Sequence, residues 1–464
     1  MVFSSVPFLY VFLPVVLLCC FVVPKRFKNL VLLAASLFFY YYGERAYTSL
    51  LLISSLSDYL HSLYIEKHRG TQRAKIALVS SIAVNLALLG FFKYADFLIS
   101  TVNSLLRTSI PLLKVPLPIG ISFFTFQTMS YTIDVYRGRV HAQKNLVTMG
   151  TFVCLFPQLV AGPIVRYSDI ALELEQRSTT LDEVSAGARR FVVGLAKKVL
   201  VANAMGELCG LYRSAGEQTT LFALLYAAAF TIQIYYDFSG YSDMAIGLGL
   251  LFGFHFPENF NYPYLSRSVS EFWRRWHMTL GGWFRDYVYI PLGGNRKGKA
   301  RQILNLCVVW LLTGLWHGSA WTFVAWGAWY AALLILEKLF LGRWLQKAPK
   351  ILRHIYALLA ILIGWIIFNS PSLGAAGKYL RALCFLGEGT GADAPFFLLT
   401  LRQYGLQLAA ALALCTPIGK RLLEQLEGST AGRWIKLLLL GAVFALSLLA
   451  MTGSTMQAFI YAQF

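Results

Sequence analysis

Apolar residues arrive in this chain in long blocks rather than in alternation, and the blocks predict its architecture before any motif is considered. Runs dominated by Leu, Val, Phe, Ile and Ala lie near residues 6–23, 29–43, 47–65, 76–100, 119–134, 146–165, 190–212, 219–257, 302–336, 354–369, 397–417 and 434–452. A helix needs about 20 apolar residues to cross a hydrocarbon core of about 30 Å, and within lipid every backbone amide must be satisfied inside the segment. The runs therefore predict an all-α, polytopic membrane bundle. Their lengths are uneven and Gly and Pro fall inside them, which predicts re-entrant and tilted helices around a protected cavity. The mixed polar and aromatic stretches 166–188 and 258–301 read as amphipathic helices at the membrane interface. No soluble domain and no internal repeat emerges. One membrane domain is expected over residues 1–464, with N-terminal spans over 1–117, a core carrying the motifs over 118–340, and C-terminal spans over 341–464.

Composition sharpens this picture. Of 464 residues 57% are hydrophobic and 14% charged, against about 25% charged in a soluble domain. A soluble enzyme and a disordered chain are both excluded. Lys and Arg outnumber Asp and Glu 41 to 22, a net charge of +19, and in a soluble protein that excess would point to nucleic acid. Here the cations gather in alternate loops: Lys25, Arg26 and Lys28, then Lys67, Arg69, Arg73 and Lys75, then Arg137, Arg139 and Lys144, and later residues 296–301 and 343–353. By the positive-inside rule these loops are cytoplasmic and the N-terminus extracytoplasmic, and no nucleic-acid partner is expected. The first run has no basic segment before it and no small-residue cleavage site after it, so it reads as a retained span. Seven cysteines without CxxC spacing read as core thiols. No metal is expected, because HxxxH, HExxH and Cys–His patterns are missing.

Polar residues inside apolar runs are costly, about 2.5–3.5 kcal/mol for a charge at mid-membrane, and so carry the functional information. The run 302–336 holds no Asp, Glu, Lys or Arg, and near its middle stands Gly314-Leu315-Trp316-His317-Gly318. As one helix it would be about 50 Å long, so it is steeply tilted or folded into two arms, with His317 central either way. Gly314 and Gly318 form a GxxxG pair that admits a neighbouring helix or a substrate chain beside His317. Such a pair is usually a packing face and a lone His is often a hydrogen-bonded core residue, so packing and catalysis both stand open on these residues alone. Apolar surroundings disfavour imidazolium and favour the neutral ring that a general base requires.

A second place is Glu271-Phe272-Trp273-Arg274-Arg275-Trp276-His277, followed by Trp283-Phe284-Arg285-Asp286-Tyr287. On a helix Glu271 reaches Arg274 and Arg275, and Trp273 and His277 share a face. Periodicity favours an interfacial helix; the alternative projects His277 into the cavity of His317. A third is Tyr235-Tyr236-Asp237-Phe238-Ser239-Gly240-Tyr241-Ser242-Asp243 inside the run 219–257. Asp237 and Asp243 are expected to accept hydrogen bonds from Tyr or Ser hydroxyls or to pair with Arg of the second region, a structural role more often than a catalytic one. Neither a G-x-S-x-G elbow nor a P-loop is present.

These segments, with Phe156-Pro157-Gln158-Leu159-Val160-Ala161-Gly162-Pro163 and Tyr289-Ile290-Pro291-Leu292-Gly293-Gly294-Asn295, resemble in order the signatures of the membrane-bound O-acyltransferase superfamily, and within it the bacterial branch of the alginate O-acetylation membrane protein. The resemblance runs from about residue 118 to 464. It implies a helical bundle around a funnel or tunnel in a bacterial inner membrane, with His317 the membrane-embedded catalytic histidine and His277 the family's second histidine. Asp237, Tyr241, Trp273, Arg274, Arg275, Trp316, Gly314 and Gly318 are expected to line the substrate tunnel or support it. Ala320 stands where the usual motif has Asn, and Gly281-Gly282 replace a more Ser/Thr-rich step.

The implied reaction moves an acetyl group from a cytoplasmic thioester, acetyl-CoA or another, across the bilayer for O-acetylation of an exopolysaccharide such as alginate. No bound cofactor is expected, and an extracytoplasmic polysaccharide acetyltransferase is the expected partner. His317 would take the acceptor's proton while donors such as His277 steady the oxyanion. Alternatives within the same fold are D-alanyl transfer and acyl transfer to peptidoglycan or cellulose, although the long C-terminal portion ending Phe459-Ile460-Tyr461-Ala462-Gln463-Phe464 fits the alginate-type branch better than the D-alanyl one. From other classes come a proton-coupled transporter using Asp237, Asp243 and the histidines, and a scaffold that only recruits an acetyltransferase.

Overall fold

The computed structural model describes residues 1–214, 219–384, 394–453 and 459–460, so Tyr461 to the C-terminus lie outside the described residues. Within those limits the chain is helical and without strands. Six helices among the described residues are long and apolar enough to cross a membrane, and their outward faces carry large apolar side chains, such as Leu437, Leu438 and Leu439, that no protein surface covers. In water that surface would be prohibitive; in lipid it is the stable arrangement. The protein is an all-α polytopic membrane protein. Not every apolar run becomes a full crossing, because several divide into shorter helices.

Two compact units divide the chain. The first comprises Met1–Phe191 and Tyr241–Pro257. It opens with α1 (Phe8–Val22), α2 (Lys28–Glu44), α3 (Tyr47–Lys67), α4 (Gln72–Leu106) and α5 (Ile121–Tyr136). At 35 residues α4 is about 52 Å long, more than one bilayer core. α5 is buried along almost its whole length despite its Ser, Thr and Gln residues. Its polar side chains are spent within the unit. Ser81 and Asn85 of α4 donate to the carboxylate of Asp58 on α3 at 2.6 and 2.7 Å, and Thr128 of α5 donates to Asn85 at 3.2 Å. A buried carboxylate is tolerated only in such a filled network, which here fastens three helices together. The short α6 (Leu146–Cys154), α7 (Phe156–Leu159) and α8 (Tyr167–Gln176) follow, then α9 (Leu181–Ala196). The 166–188 stretch is thus helical on both sides of residue 180, as its pattern predicts.

The second unit comprises Val192–Gly240 and Glu258–Phe464. A π-turn, Lys197–Ala202, leads into α10 (Asn203–Ser214), and α11 (Thr220–Leu251) runs through the 219–257 block. Two short helices, α12 (Val269–Arg275) and α13 (Met278–Phe284), precede α14 (Lys299–His317) and α15 (Trp321–Leu336). Then come α16 (Gly342–Lys347), α17 (Lys350–Asn369), α18 (Leu373–Leu383), α19 (Ala394–Leu414), α20 (Ile418–Leu426) and α21 (Thr430–Gly453). The 258–301 stretch departs from the interfacial reading. Phe272, Trp276 and Trp283 are buried, so the aromatics of α12 and α13 are core of this unit and not a headgroup-level stripe.

Candidate active site

The 302–336 run is folded into two arms. α14 ends at His317 because Gly318 is extended (φ −169°, ψ 163°), and α15 returns after a three-residue turn. A Cβ on Gly314 would lie 2.3 Å from the Phe323 carbonyl oxygen, and one on Gly327 would lie 2.4 Å from that of Trp310. The arms therefore touch backbone to backbone, a separation no larger residue allows. The close pair is Gly314 with Gly327 and not the GxxxG face of Gly314 with Gly318; Gly318 serves the turn, against the Phe323 ring. His317 stands at the tip, buried, with its ring edge-on to Trp326 of α15 (4.9 Å between centroids), Phe368 of α17 (5.4 Å) and its neighbour Trp316 (5.0 Å).

The second histidine is placed by a break. α12 is capped by Ser268, whose hydroxyl accepts the Glu271 N–H at 3.0 Å. The Glu337 carboxylate, just past α15, accepts the N–H groups of Val269 and Ser270 at 2.6 and 2.9 Å. A carboxylate on a helix N-terminus satisfies orphan donors and complements the dipole. The helix stops at Trp276, and His277 adopts the left-handed conformation (φ 44°, ψ 53°), a strain of roughly 1–3 kcal/mol for a residue with a Cβ. Trp273 and His277 consequently do not share a helix face, contrary to the unbroken-helix expectation. The bend is held by a two-rung ladder: the Asn261 N–H donates to the Arg275 carbonyl at 2.9 Å and the Met278 N–H to that of Asn259 at 3.0 Å.

Asn259 Oδ1 accepts from His277 Nδ1 at 3.0 Å, from the Thr279 hydroxyl at 2.9 Å and from the Thr279 N–H at 3.4 Å. Three donors on one atom identify it as the amide oxygen, which places the His277 proton on Nδ1 and the lone pair on Nε2. Burial pushes the His277 pKa down to about 3, so the ring is neutral at ordinary pH. His277 packs against Phe238 (4.7 Å) and Trp316 (5.8 Å). The indole of Trp316 thus contacts both histidine rings.

The remaining expected residues divide. Trp273 completes the aromatic wall, against Trp310 (4.5 Å), Tyr330 (4.8 Å) and Trp326 (5.5 Å). Arg275 pairs with Glu271 at 2.9 Å and donates to the Asn261 carbonyl at 3.2 Å, stiffening the bend, while Arg274 is exposed. Asp237 is buried in an ion pair with Lys198 at 2.5 Å and accepts the Ile460 N–H at 2.7 Å. Asp243 belongs to the first unit and pairs with Arg190 at 2.9 Å. Both acids therefore take their cations from 190–198 and not from the Arg residues of the second region. Tyr241 lies in the first unit, stacked on Phe3 (4.7 Å).

No motif in the sequence marks Asn259, Trp326, Phe368, Lys198 and Glu337, since each acts through a partner on another segment of the fold. The indole N–H groups of Trp273, Trp276 and Trp326 are buried and find no acceptor among the described residues. Unmet donors cost about 1–3 kcal/mol each and suit a guest that brings an oxygen. Imidazoles in a dry aromatic enclosure with spare donors are equipped to remove a proton from a hydroxyl, steady an oxyanion and keep water from a reactive acyl group.

A polytopic helical protein with this enclosure has the build of a membrane-embedded group transferase. The chain belongs to the membrane-bound O-acyltransferase family, whose model matches residues 138–373, and it is an O-acyltransferase. It is 41% identical over 419 residues to the probable alginate O-acetylase of Azotobacter vinelandii, covering 89% of this chain and 84% of that one. It is 32% identical over 419 residues to the peptidoglycan O-acetyltransferase of Helicobacter pylori (82% and 80%). Identity to the teichoic acid D-alanyltransferase of Bacillus subtilis is 28% over 241 residues (49% and 60%).

Proposed function

We propose that this protein takes an acetyl group from a thioester on the cytoplasmic side, acetyl-CoA in the simplest case, and passes it across the inner membrane for O-acetylation of an alginate-type exopolysaccharide, with His317 as general base. The observation that carries the reading is the burial of His317 at the hairpin tip among Trp316, Trp326 and Phe368. The names of the most similar relatives favour acetyl over D-alanyl transfer, since the D-alanyltransferase likeness spans only half of this chain. In this scheme the acceptor oxygen attacks the thioester carbonyl as its proton passes to the imidazole. The tetrahedral oxyanion is held by N–H donors, Trp326 among them. Collapse breaks the carbon–sulfur bond, and the departing thiolate takes the proton back as a thiol. His277, whose Nδ1 is tied to Asn259, positions Trp316 and adds a polar edge to the enclosure.

Basic loops at 25–28, 67–75 and 343–353 support a cytoplasmic face for the donor and an extracytoplasmic N-terminus. A secreted polysaccharide acetyltransferase is the fitting partner for the last step. The test is release of free thiol from acetyl-CoA by the purified protein in proteoliposomes without an ion gradient. His317→Ala is expected to lower that rate by about 100-fold or more while membrane level and thermal stability hold. Wild-type turnover in that variant would end the proposal, and a requirement for a gradient would return the transporter.

A further inference from the structure

At one end of the second unit a cavity of about 840 Å³ opens between α10, α11, α17 and α18, within the range of about 300–1,000 Å³ of small-ligand sites. Its lining is graded along the helices. Tyr226 of α11 and Asn369 at the end of α17 stand on the rim, and Phe230, Trp365 and Leu362 line the wall below them. At about 1.5 Å per residue, Phe230 and Trp365 lie about 6 Å inward from those rim residues and Leu362 about 10 Å inward, with Gln233 bounding the apolar stretch. α11 and α17 are both long and apolar enough to cross a membrane, and α17 ends at Asn369, so the rim lies at headgroup depth and the wall at acyl-chain depth. Two further features set that depth. Tyr212 and Tyr226 are stacked at 4.2 Å and Tyr379 meets the edge of Tyr226 at 5.4 Å, as in the aromatic belt of a membrane surface. α18 carries Leu373, Ala376, Leu380 and Leu383 on one stripe and the exposed Lys378 and Arg381 on another, the pattern of a helix lying in the interface plane.

We infer that this cavity is a site for an anionic phospholipid, whose phosphate sits on the rim and whose acyl chains descend along the apolar wall. The rim holds Arg213 and Lys378, and among the described lining residues there is no Asp or Glu. Arg213 is already oriented. It donates from Nη2 to Asn369 Oδ1 at 3.1 Å and from Nε to the Tyr226 hydroxyl at 3.4 Å, while Asn369 Nδ2 donates to the same hydroxyl at 2.7 Å. A guanidinium has five N–H groups, so two such bonds fix its plane and leave donors for a phosphate. The gradient decides the class of ligand. A free sugar or nucleotide is polar throughout and would bury hydroxyls against Phe230, Trp365 and Leu362 without partners, whereas a phospholipid is polar and apolar at the same depths as the lining. The two cations favour a headgroup with no ammonium of its own over a zwitterionic one, whose ammonium they repel. α17 starts at Lys350 beside the basic segment 343–353, so the lipid belongs to the leaflet opposite that segment. The wall also leads to the histidine: Trp365 packs on Phe368 at 5.7 Å, and Phe368 on His317 at 5.4 Å. A seated lipid therefore covers with its chains the cavity side of the ring layer that encloses His317.

The experiment holds the full chain in maltoside micelles with pyrene-labelled phosphatidylglycerol and reads energy transfer from tryptophan as unlabelled competitors are added. Phosphatidylglycerol is expected to displace the label at least about tenfold more effectively than phosphatidylcholine of the same chain length, with the preference shrinking as salt rises. Inorganic phosphate and decanoate supply the head and the chain separately, and neither is expected to displace the label where the whole lipid does. Arg213→Gln with Lys378→Gln, both exposed positions, is expected to weaken phosphatidylglycerol by about tenfold or more and to bring it level with phosphatidylcholine. Arg213→Lys with Lys378→Arg keeps both charges and should keep the preference, which guards against general damage to the rim. Leu362→Trp fills the wall and should weaken both lipids. Equal displacement by the two lipids, indifference to the double glutamine substitution, or displacement by phosphate or decanoate alone would each overturn the inference. None of these outcomes bears on thiol release, which tests the catalytic reading by itself.

Discussion

His277 shows how much chemistry a single backbone angle can direct. An uninterrupted helix would turn its ring to the side of Trp273; the left-handed conformation instead delivers Nδ1 to Asn259 and the ring to Trp316. Burial lowers its pKa to about 3, whereas the unfolded chain titrates near the ordinary value of about 6.5. Between those values the unfolded state binds the extra proton. The stability contribution is therefore complete above about pH 6.5 and is lost progressively as pH falls toward 3. Thermal unfolding in detergent between pH 7.5 and 4.5 should show a falling midpoint, and the fall should be shallower in His277→Gln. Parallel curves for the two proteins would show that the ring is not held neutral. The His types at 277 and 317 were legible in the sequence through their motifs. The bend and the Asn259 acceptor were not, since they depend on 258–262 pairing with 275–278.

At the scale of elements, the α14–α15 hairpin decides where His317 sits. Its arms are joined at Gly314 and Gly327, where a side chain would meet a carbonyl oxygen at 2.3 or 2.4 Å. Gly327→Val is expected to force the arms apart, with a cost of about 1–3 kcal/mol, a lower thermal midpoint and loss of most thiol release. Gly441→Ala, where an added methyl meets nothing within 4 Å, should leave both measurements within error. If the two substitutions behave alike, the hairpin contact is not what orders the tip. The length and charge-free composition of the 302–336 run announced a tilted or folded element. Which glycines meet was hidden, because GxxxG spacing describes one face of one helix and the contact here is between two antiparallel helices.

Across the molecule, a few buried charges tie distant parts of the chain. Lys198, from the π-turn after α9, meets Asp237 in the middle of α11, and Asp237 also receives the Ile460 N–H near the C-terminus. Removing one partner leaves a bare charge in a dry interior, at a cost of about 3–5 kcal/mol, whereas removing both with apolar groups of similar size is often close to neutral. Lys198→Met alone and Asp237→Leu alone should each reduce the amount of folded protein in the membrane sharply, and the double variant should recover most of it. Size-exclusion profiles of the solubilised proteins read this directly; a double variant no better than the singles would mean that the pair acts through something other than charge balance.

The order of residues alone dictates the solvent and the secondary structure: apolar blocks with few charges can be satisfied only as helices in lipid, and that constraint needs no partner. It also supplied the two histidines and the order of the motifs. Folding alone settles which groups meet, namely Asn259 with His277, Trp326 and Phe368 with His317, Lys198 with Asp237, and Arg213 with Tyr226. The physical reason is range. Solvation and helix formation act on a residue and its near neighbours, whereas an enclosure of rings or a compensated charge exists only after separate helices have packed together.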